Sequence, residues 1–241
     1  MVTLERRWDR RVEQWHSHVT SGAAFEQVLR RLIELSSPKP TDVCVDLGAG
    51  TGFVTTAMAP LVSSILAVDI SAAMAASLAE RAACDGLRNV STEVRDLKEF
   101  NLMPASADLV VSSYALHHLS DSDKRALVAR AARWLRPGGR LVIADMMFGR
   151  GASQRDRDIL RQKAIALAAK GPGGWWRIAK NLTRYGLGVG QEHPATPEFW
   201  QAAFRDAEFT GVVFQPVIAE AGIVRGVWPG RLKPSTTVRS G

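Results

Sequence analysis

VDLGAGTG, residues 45–52, places three glycines at every second position directly after a short hydrophobic run. The run Val43-Cys44-Val45 has the composition of a buried strand, and Asp46 follows it. Glycine permits positive φ angles and removes the Cβ that would keep a ligand away from the backbone. The stretch therefore predicts a strand that turns sharply into a helix and presents its backbone to a ligand. The glycines are Gly48, Gly50 and Gly52.

The spacing of these glycines distinguishes between two kinds of ligand. A dinucleotide-binding turn has the pattern G-x-G-x-x-G, in which the pyrophosphate needs a wide turn at the start of the helix. Here the pattern is G-x-G-x-G, and Phe53 occupies the position of the third glycine in that fingerprint. The tighter turn argues against NAD and favours a ligand without phosphates.

Strand-like and helix-like segments alternate on both sides of this turn. Hydrophobic runs at 64–70, 108–116 and 140–148 and a shorter strand at 89–97 are separated by helical patterns. Such alternation predicts an α/β fold, a doubly wound Rossmann-like parallel sheet with helices on both faces. Ligands of these sheets bind at the carboxyl ends of the strands.

Local signals also predict where the helices begin and end. Ser71, Ser120 with Asp123, and Thr196 followed by Pro197 have the sequence of helix N-caps. We expect one helix to end near Pro60, another before Gly86, and a third to be stopped by Pro137-Gly138-Gly139.

Changes in composition divide the chain into five parts. We expect an N-terminal helical cap at 1–40, broken near Gly22, and a ligand-binding core at 41–148. A basic helical insertion at 149–195 would form a cap or lid. Residues 196–228 would complete the core with a terminal hairpin joined at Ala221-Gly222, and 229–241 would be a disordered tail.

Acidic residues stand at the carboxyl ends of the first three predicted strands of the core: Asp46, Asp69 and Asp96. A carboxylate at the position of Asp69 can accept both hydroxyls of a ribose. Asp96 can accept from the amino group of an adenine. Flanking apolar side chains would enclose the ring: Ile70, Met74 and Leu97.

Residues 41 to about 148 resemble the class I S-adenosylmethionine-dependent methyltransferases, and within them the bacterial small-molecule branch that includes ubiquinone and menaquinone methyltransferases. The motifs that carry this resemblance are VDLGAGTG, AVDIS, VRDL, ADLVVSSYALHHLSD and LRPGGRLVIAD. It implies S-adenosylmethionine as the methyl donor and S-adenosylhomocysteine as the product. It also implies a seven-stranded sheet whose last strand runs antiparallel, which the terminal hairpin can supply.

The same resemblance implies roles for the residues of the motifs. Asp46 and the glycine turn would hold the methionine moiety, Asp69 the ribose hydroxyls and Asp96 the adenine amino group. Ser112 and Ser113 would belong to the loop beside the sulfonium.

Two adjacent histidines, His117 and His118, follow the fourth strand of the predicted core and are candidates for a general base. Asp145, at the end of the fifth, would orient or assist one of them. The alternative is that the histidines are a packing motif at a helix entry and that Asp145 is a strand-end cap. No cluster suited to Mg²⁺ or Zn²⁺ is visible, and SSYA stands where amino-nitrogen nucleic-acid methyltransferases carry Asn-Pro-Pro-Tyr.

The motifs specify the methyl donor and leave the acceptor open. We expect a small hydrophobic or aromatic metabolite, methylated at O, C or N. The segment 171–190, with Trp175 and Trp176, would be a lid that contacts a membrane surface, or a packing helix; the helix with Trp8 and Trp15 is a second candidate lid.

The net charge of +7 leaves room for two alternatives, an RNA methyltransferase or nucleic-acid binder and a non-catalytic cofactor-binding protein. Because no nucleic-acid-binding motif flanks the core, no nucleic-acid partner is expected. With two isolated cysteines and no signal-like N-terminus, we expect a cytoplasmic protein.

Overall fold

The structure is a computed structural model that describes residues 22–149, 154, 156–158, 161, 165, 193–218 and 220–230. The segment 171–190, the helix with Trp8 and Trp15, and the predicted disordered tail from 231 onward lie outside the described residues. The predictions made for them stay predictions.

The described elements alternate between helix and strand as expected. In chain order they are α1 (Ala23–Ser36), β1 (Val43–Leu47), α2 (Phe53–Met58) with a 3-10 turn (Ala59–Leu61), β2 (Ser64–Asp69), α3 (Ala72–Cys84), β3 (Val90–Val94), β4 (Ala107–Ser113), a second 3-10 turn (Leu116–His118), α4 (Asp121–Trp134), β5 (Leu135–Met146), α5 (Pro197–Asp206), β6 (Thr210–Pro216) and β7 (Ala221–Val227).

The strands form a seven-stranded sheet in the order β3-β2-β1-β4-β5-β7-β6. The first five strands run parallel, and β7 lies antiparallel between β5 and β6. The order reverses direction between β1 and β4, which is where ligands bind in sheets of this kind. The predicted doubly wound sheet with an antiparallel last strand is confirmed.

Helix N-termini follow the capping signals of the sequence. The side-chain oxygens of Ser71, Ser120 and Thr196 accept hydrogen bonds from backbone N–H groups three residues further on. These bonds satisfy donors that a helix leaves unpaired in its first turn. Pro197 occupies the first turn of α5, where its missing N–H costs nothing.

Both faces of the sheet are covered by apolar helix surfaces. On one face α4 and α5 bury the large aromatic side chains of Trp134, Trp200 and Phe204 against the strands. On the other, α1 and α2 bury Leu32 and Met58. Strands enclosed on both sides read as continuous apolar runs, which is why β4 and β5 lack a simple alternation of polar and apolar residues.

Two boundaries differ from the sequence-based expectation. Helix α4 ends at Trp134, before Pro137-Gly138-Gly139, because these residues already belong to the sheet: Gly138 N–H donates to the Trp228 carbonyl at 2.8 Å and Trp228 N–H to the Gly139 carbonyl at 2.8 Å. The terminal hairpin turns before Ala221, which opens β7 opposite Met146. Both pairings join residues that are distant in sequence.

None of the described helices is both long enough and apolar enough to cross a membrane.

Candidate functional site

The glycine turn after β1 has the backbone geometry that its sequence predicts. Gly48, Gly50 and Gly52 have φ angles of 75°, 54° and 87°, a region that side chains with a Cβ adopt at a cost. Gly48 N–H donates to the carbonyl of Val68 on β2 at 2.8 Å. The turn is thus attached to the neighbouring strand at the carboxyl edge of the sheet.

An open cavity of about 930 Å³, counting its mouth, lies at this edge. Ten of the residues proposed from the sequence line it: Asp46, Gly48, Gly50, Asp69, Ile70, Met74, Asp96, Leu97, Ser113 and His118. Residues from the ends of successive strands therefore meet in one place.

Two half-buried carboxylates, those of Asp69 and Asp96, are held in position on the β2 and β3 side of the cavity. Asp69 accepts the Gly50 N–H at 2.8 Å through one oxygen and the Ser71 N–H at 2.9 Å through the other. Asp96 accepts the Lys98 N–H at 2.9 Å. Each carboxylate oxygen has more than one acceptor site, so both side chains can still accept from the hydroxyl or amino groups of a ligand.

The carboxyl group of Asp46 forms the buried floor of the cavity. It is 1% exposed and accepts a 2.6 Å hydrogen bond from the hydroxyl of Thr55. Burial raises the pKa of Asp46 to about 7, and the negative charge of Asp69 adds to the increase, while the Thr55 hydroxyl opposes it. A cationic ligand beside Asp46 would restore the ionised form.

The two histidines after β4 have different surroundings. His118 lines the cavity, whereas His117 is 5% exposed and lies behind it. Asp145 accepts the backbone N–H of His117 at 2.9 Å and its ring Nδ1 at 2.7 Å. Because a carboxylate only accepts, Nδ1 carries the proton. The two imidazole rings pack against each other with centroids 4.0 Å apart.

Four residues proposed from the sequence do not reach the cavity wall: Gly52, Ser112, His117 and Asp145. The hydroxyl of Ser112 donates to the carbonyl of Leu47 at 2.7 Å and is fully buried between β1 and β4. A Cβ on Gly52 would lie 2.0 Å from Leu78 Cδ1, so this glycine permits close packing of α2 on α3. These four residues therefore lie behind the residues that form the cavity wall.

Seven cavity-lining residues escaped the sequence reading: Phe25, Ala49, Phe53, Val54, Tyr114, Ala115 and Leu119. Most of them are neighbours in sequence of a residue that the sequence analysis proposes for the site. The loop SSYALHHL contains Tyr114 and Ala115 and could have indicated both. Phe25 lies on α1 and had no such signal, because only tertiary packing brings this helix over the sheet. Its ring packs against that of Tyr114 with centroids 4.8 Å apart.

Among the described residues, no group of three or more His, Cys, Asp or Glu side chains is arranged to hold a metal ion.

Comparisons with known proteins agree with this fold. Residues 44–139 match a family described as a methyltransferase domain. A protein of Geobacillus thermodenitrificans described as an uncharacterized methyltransferase is 30% identical over 167 residues, which cover 66% of this chain and 73% of that protein. A relative from Geobacillus kaustophilus with the same description is 28% identical over 172 residues, covering 66% and 73% respectively.

Solved structures share the architecture over nearly the whole length. A DhpI complex with S-adenosylhomocysteine superposes with a TM-score of 0.64 at 17% identity, covering 93% of this chain and 95% of that one. A methyltransferase from Aquifex aeolicus superposes with a TM-score of 0.62 at 14% identity, covering 91% and 98%.

A seven-stranded Rossmann-like sheet with a glycine turn and carboxylates around one cavity defines the class of nucleoside-binding α/β enzymes. The relatives identify the reaction within that class. The chain belongs to the class I S-adenosylmethionine-dependent methyltransferases, and its methyl donor is S-adenosylmethionine.

Proposed function

We propose that this methyltransferase transfers the methyl group to O, C or N of a small hydrophobic or aromatic metabolite. The observation that carries the proposal is the cavity itself, which is lined both by polar groups suited to the donor and by aromatic side chains suited to an acceptor. Of the two alternatives from the sequence, membership of an enzyme family favours catalysis over a purely binding role.

The residues of the cavity fit the donor by position and chemistry. The carboxylate of Asp69 would accept the ribose hydroxyls, and Asp96 would accept the adenine amino group between Ile70, Met74 and Leu97. The buried Asp46 and the turn at Gly48 and Gly50 would hold the amino-acid end. Two features of Gly48 support this assignment. Its φ angle is positive, and a Cβ at this position would meet Ala115 Cβ at 2.2 Å and narrow the cavity.

When bound, S-adenosylmethionine supplies a methyl group that its sulfonium has already activated. The chain itself then has to align the acceptor and exclude water, which can supply roughly 7–11 kcal/mol of the barrier. Where the acceptor atom carries a proton, His118, which lines the cavity, would take it. Asp145 holds His117, and the packed ring of His117 positions His118.

Calorimetric titration with S-adenosylhomocysteine tests the donor site. We expect Asp69→Ala to weaken binding by more than tenfold, because two ribose hydroxyls lose a charged acceptor. Asp206→Ala is the matched control: it removes a carboxylate of α5 that pairs with Arg125 of α4, and neither residue lines the cavity. Unchanged affinity in Asp69→Ala would refute the ribose assignment.

Single variants separate the roles of the two histidines. We expect His118→Ala to slow methyl transfer by roughly 10²–10⁴-fold when the acceptor must lose a proton, with unchanged donor affinity. His117→Ala should slow transfer less, since it disturbs only the position of His118. Full activity in the variant with both changes would assign the pair to packing alone.

A nucleic-acid acceptor is the rival to a small molecule, because the chain carries a net charge of +7. Gel mobility of RNA at increasing salt measures binding, and a methylation assay on the same RNA measures transfer. Methylation of RNA at physiological salt would favour the rival. Non-specific binding would fade as counterions compete for the basic side chains.

A further inference from the structure

The side of the cavity opposite the nucleoside carboxylates is aromatic. Tyr114 directly follows β4, and its backbone N–H donates to the carbonyl of Ala144 on β5 at 2.9 Å. Phe25 comes from α1, which packs over β5 and β7. Asp69 and Asp96 stand on the other side, at β2 and β3. Strand spacing of about 4.8 Å separates the two sides by about 10 Å from β2 to β4.

The backbone of Tyr114 adopts a conformation that a tyrosine rarely takes. Its φ angle is +50°, in the left-handed region. Such strain in a non-glycine residue is concentrated at functional sites, where the surroundings hold it in place. Here it turns the chain out of β4 and directs the ring of Tyr114 toward Phe25, 4.8 Å away between centroids, at the cavity wall.

The charges around this aromatic wall are negative. Burial raises the pKa of the Tyr114 hydroxyl well above its ordinary value, and the carboxylates of Glu220 and Asp145 raise it further. The phenol therefore stays protonated and can donate a hydrogen bond. The described residues that line the cavity include Asp46, Asp69 and Asp96 but no lysine or arginine. An anionic acceptor would meet carboxylates and the negative faces of aromatic rings.

We propose that Phe25 and Tyr114 are specificity-determining residues that form the acceptor subsite, and that this subsite selects flat acceptors that are uncharged or cationic over carboxylates and phosphates. The inference rests on the proposed function, because it assigns the aromatic side of the cavity to the acceptor once the donor occupies the other side. Flat rings pack against the aromatic pair, and a cationic group is attracted to the ring faces. An oxygen of the acceptor molecule accepts a hydrogen bond from the Tyr114 hydroxyl.

Three probes that share one bicyclic ring test this selection: naphthol, its carboxylate derivative hydroxynaphthoate, and its aminomethyl derivative. Each is titrated calorimetrically into the protein saturated with S-adenosylhomocysteine. We expect the neutral and cationic probes to bind at least tenfold more tightly than the carboxylate. Equal or tighter binding of the carboxylate, or no binding of any probe, would overturn the inference.

Variants assign the selection to the two residues. Tyr114→Phe keeps the ring and removes only the hydroxyl, so naphthol should bind about two- to tenfold more weakly, as expected for one hydrogen bond. Phe25→Leu should weaken all three probes. Phe214→Leu makes the same change on β6, at the far edge of the sheet, and should bind like the unmodified protein. Unchanged probe affinities in both Tyr114→Phe and Phe25→Leu would contradict the assignment.

Titration of S-adenosylhomocysteine into each variant distinguishes a failure of the proposed donor site from a failure of the proposed acceptor subsite. If S-adenosylhomocysteine fails to bind the unmodified protein, the donor site of the proposed function fails. If it binds with unchanged affinity and only the probes behave otherwise than expected, the acceptor subsite alone is refuted. The charge preference of the unmodified protein decides the inference even if one variant does not fold.

Discussion

At the scale of single residues, Asp46 shows how one buried carboxyl group links binding to stability. It lies at the end of β1 with almost no contact with solvent, and Thr55 is its hydrogen-bond donor. Because Asp46 is buried, ionising its carboxyl group without a ligand costs free energy. This cost raises its pKa to about 7. Near neutral pH and without a cation beside it, the carboxyl group of Asp46 is therefore only partly ionised.

Asp46→Asn tests this cost through the pH dependence of unfolding. The pKa of Asp46 rises from 3.8 in the unfolded chain to about 7 in the folded one, so the free energy of unfolding should fall as pH rises between these values and stay level above pH 7. At about 1.4 kcal/mol per pKa unit, the loss is about 4 kcal/mol at most. Asparagine still accepts the Thr55 hydroxyl but does not ionise.

Denaturant unfolding of both proteins from pH 4 to pH 8 measures the effect. The stability of Asp46→Asn relative to the unmodified protein should increase as pH rises through this range. Parallel stability curves for the two proteins would show that Asp46 does not titrate near neutrality.

At the scale of elements, the position of α1 depends on a buried ion pair. Arg140 on β5 donates to the carbonyl of Ser36 at 2.9 Å and pairs with Asp42, and both side chains of the pair are less than a tenth exposed. The pair ties the last turn of α1 to the sheet. Phe25 in the first turn of the same helix is thereby held over the cavity.

Arg140→Met should destabilise the protein by roughly 3–5 kcal/mol, because it leaves Asp42 buried without its cation. Adding Asp42→Asn should restore a large part of this loss. Arg125→Met removes an arginine from the exposed pair with Asp206 and should cost only about 1 kcal/mol or less. Chemical denaturation measures all four proteins, and equal losses in the two single arginine variants would contradict the buried-pair account.

At the scale of the whole molecule, one cavity collects residues from the ends of strands across the sheet, and occupying it should stabilise the entire fold. A ligand that binds only the folded state at a hundred times its dissociation constant contributes about 2.7 kcal/mol. For a chain of this size we expect S-adenosylhomocysteine to raise the unfolding temperature by roughly 5–10 °C.

Scanning calorimetry measures this shift, with NAD at the same concentration as the matched ligand. NAD should have little effect, since its pyrophosphate would meet the carboxylates of Asp46 and Asp69 at a turn too tight to hold it. A shift with NAD and none with S-adenosylhomocysteine would contradict the donor assignment.

The part of the cavity that we propose for the donor could be located from the sequence because its signals are local. The spacing of Gly48, Gly50 and Gly52 specifies the turn, and each carboxylate lies at or close to the carboxyl end of its own strand. Since the carboxyl ends of parallel strands share one edge of the sheet, Asp69 and Asp96 had to come together there. Helix caps such as Ser71 were equally readable, because cap and helix are adjacent.

Only the tertiary structure decided the acceptor side. Sequence could not tell which of His117 and His118 faces the cavity, because the choice depends on Asp145, 28 residues away along the chain. Nor could it place Phe25 against Tyr114, or continue the sheet through Pro137-Gly138-Gly139. Local patterns specify backbone turns and element types, whereas contacts between distant segments are selected by the packing of the complete fold.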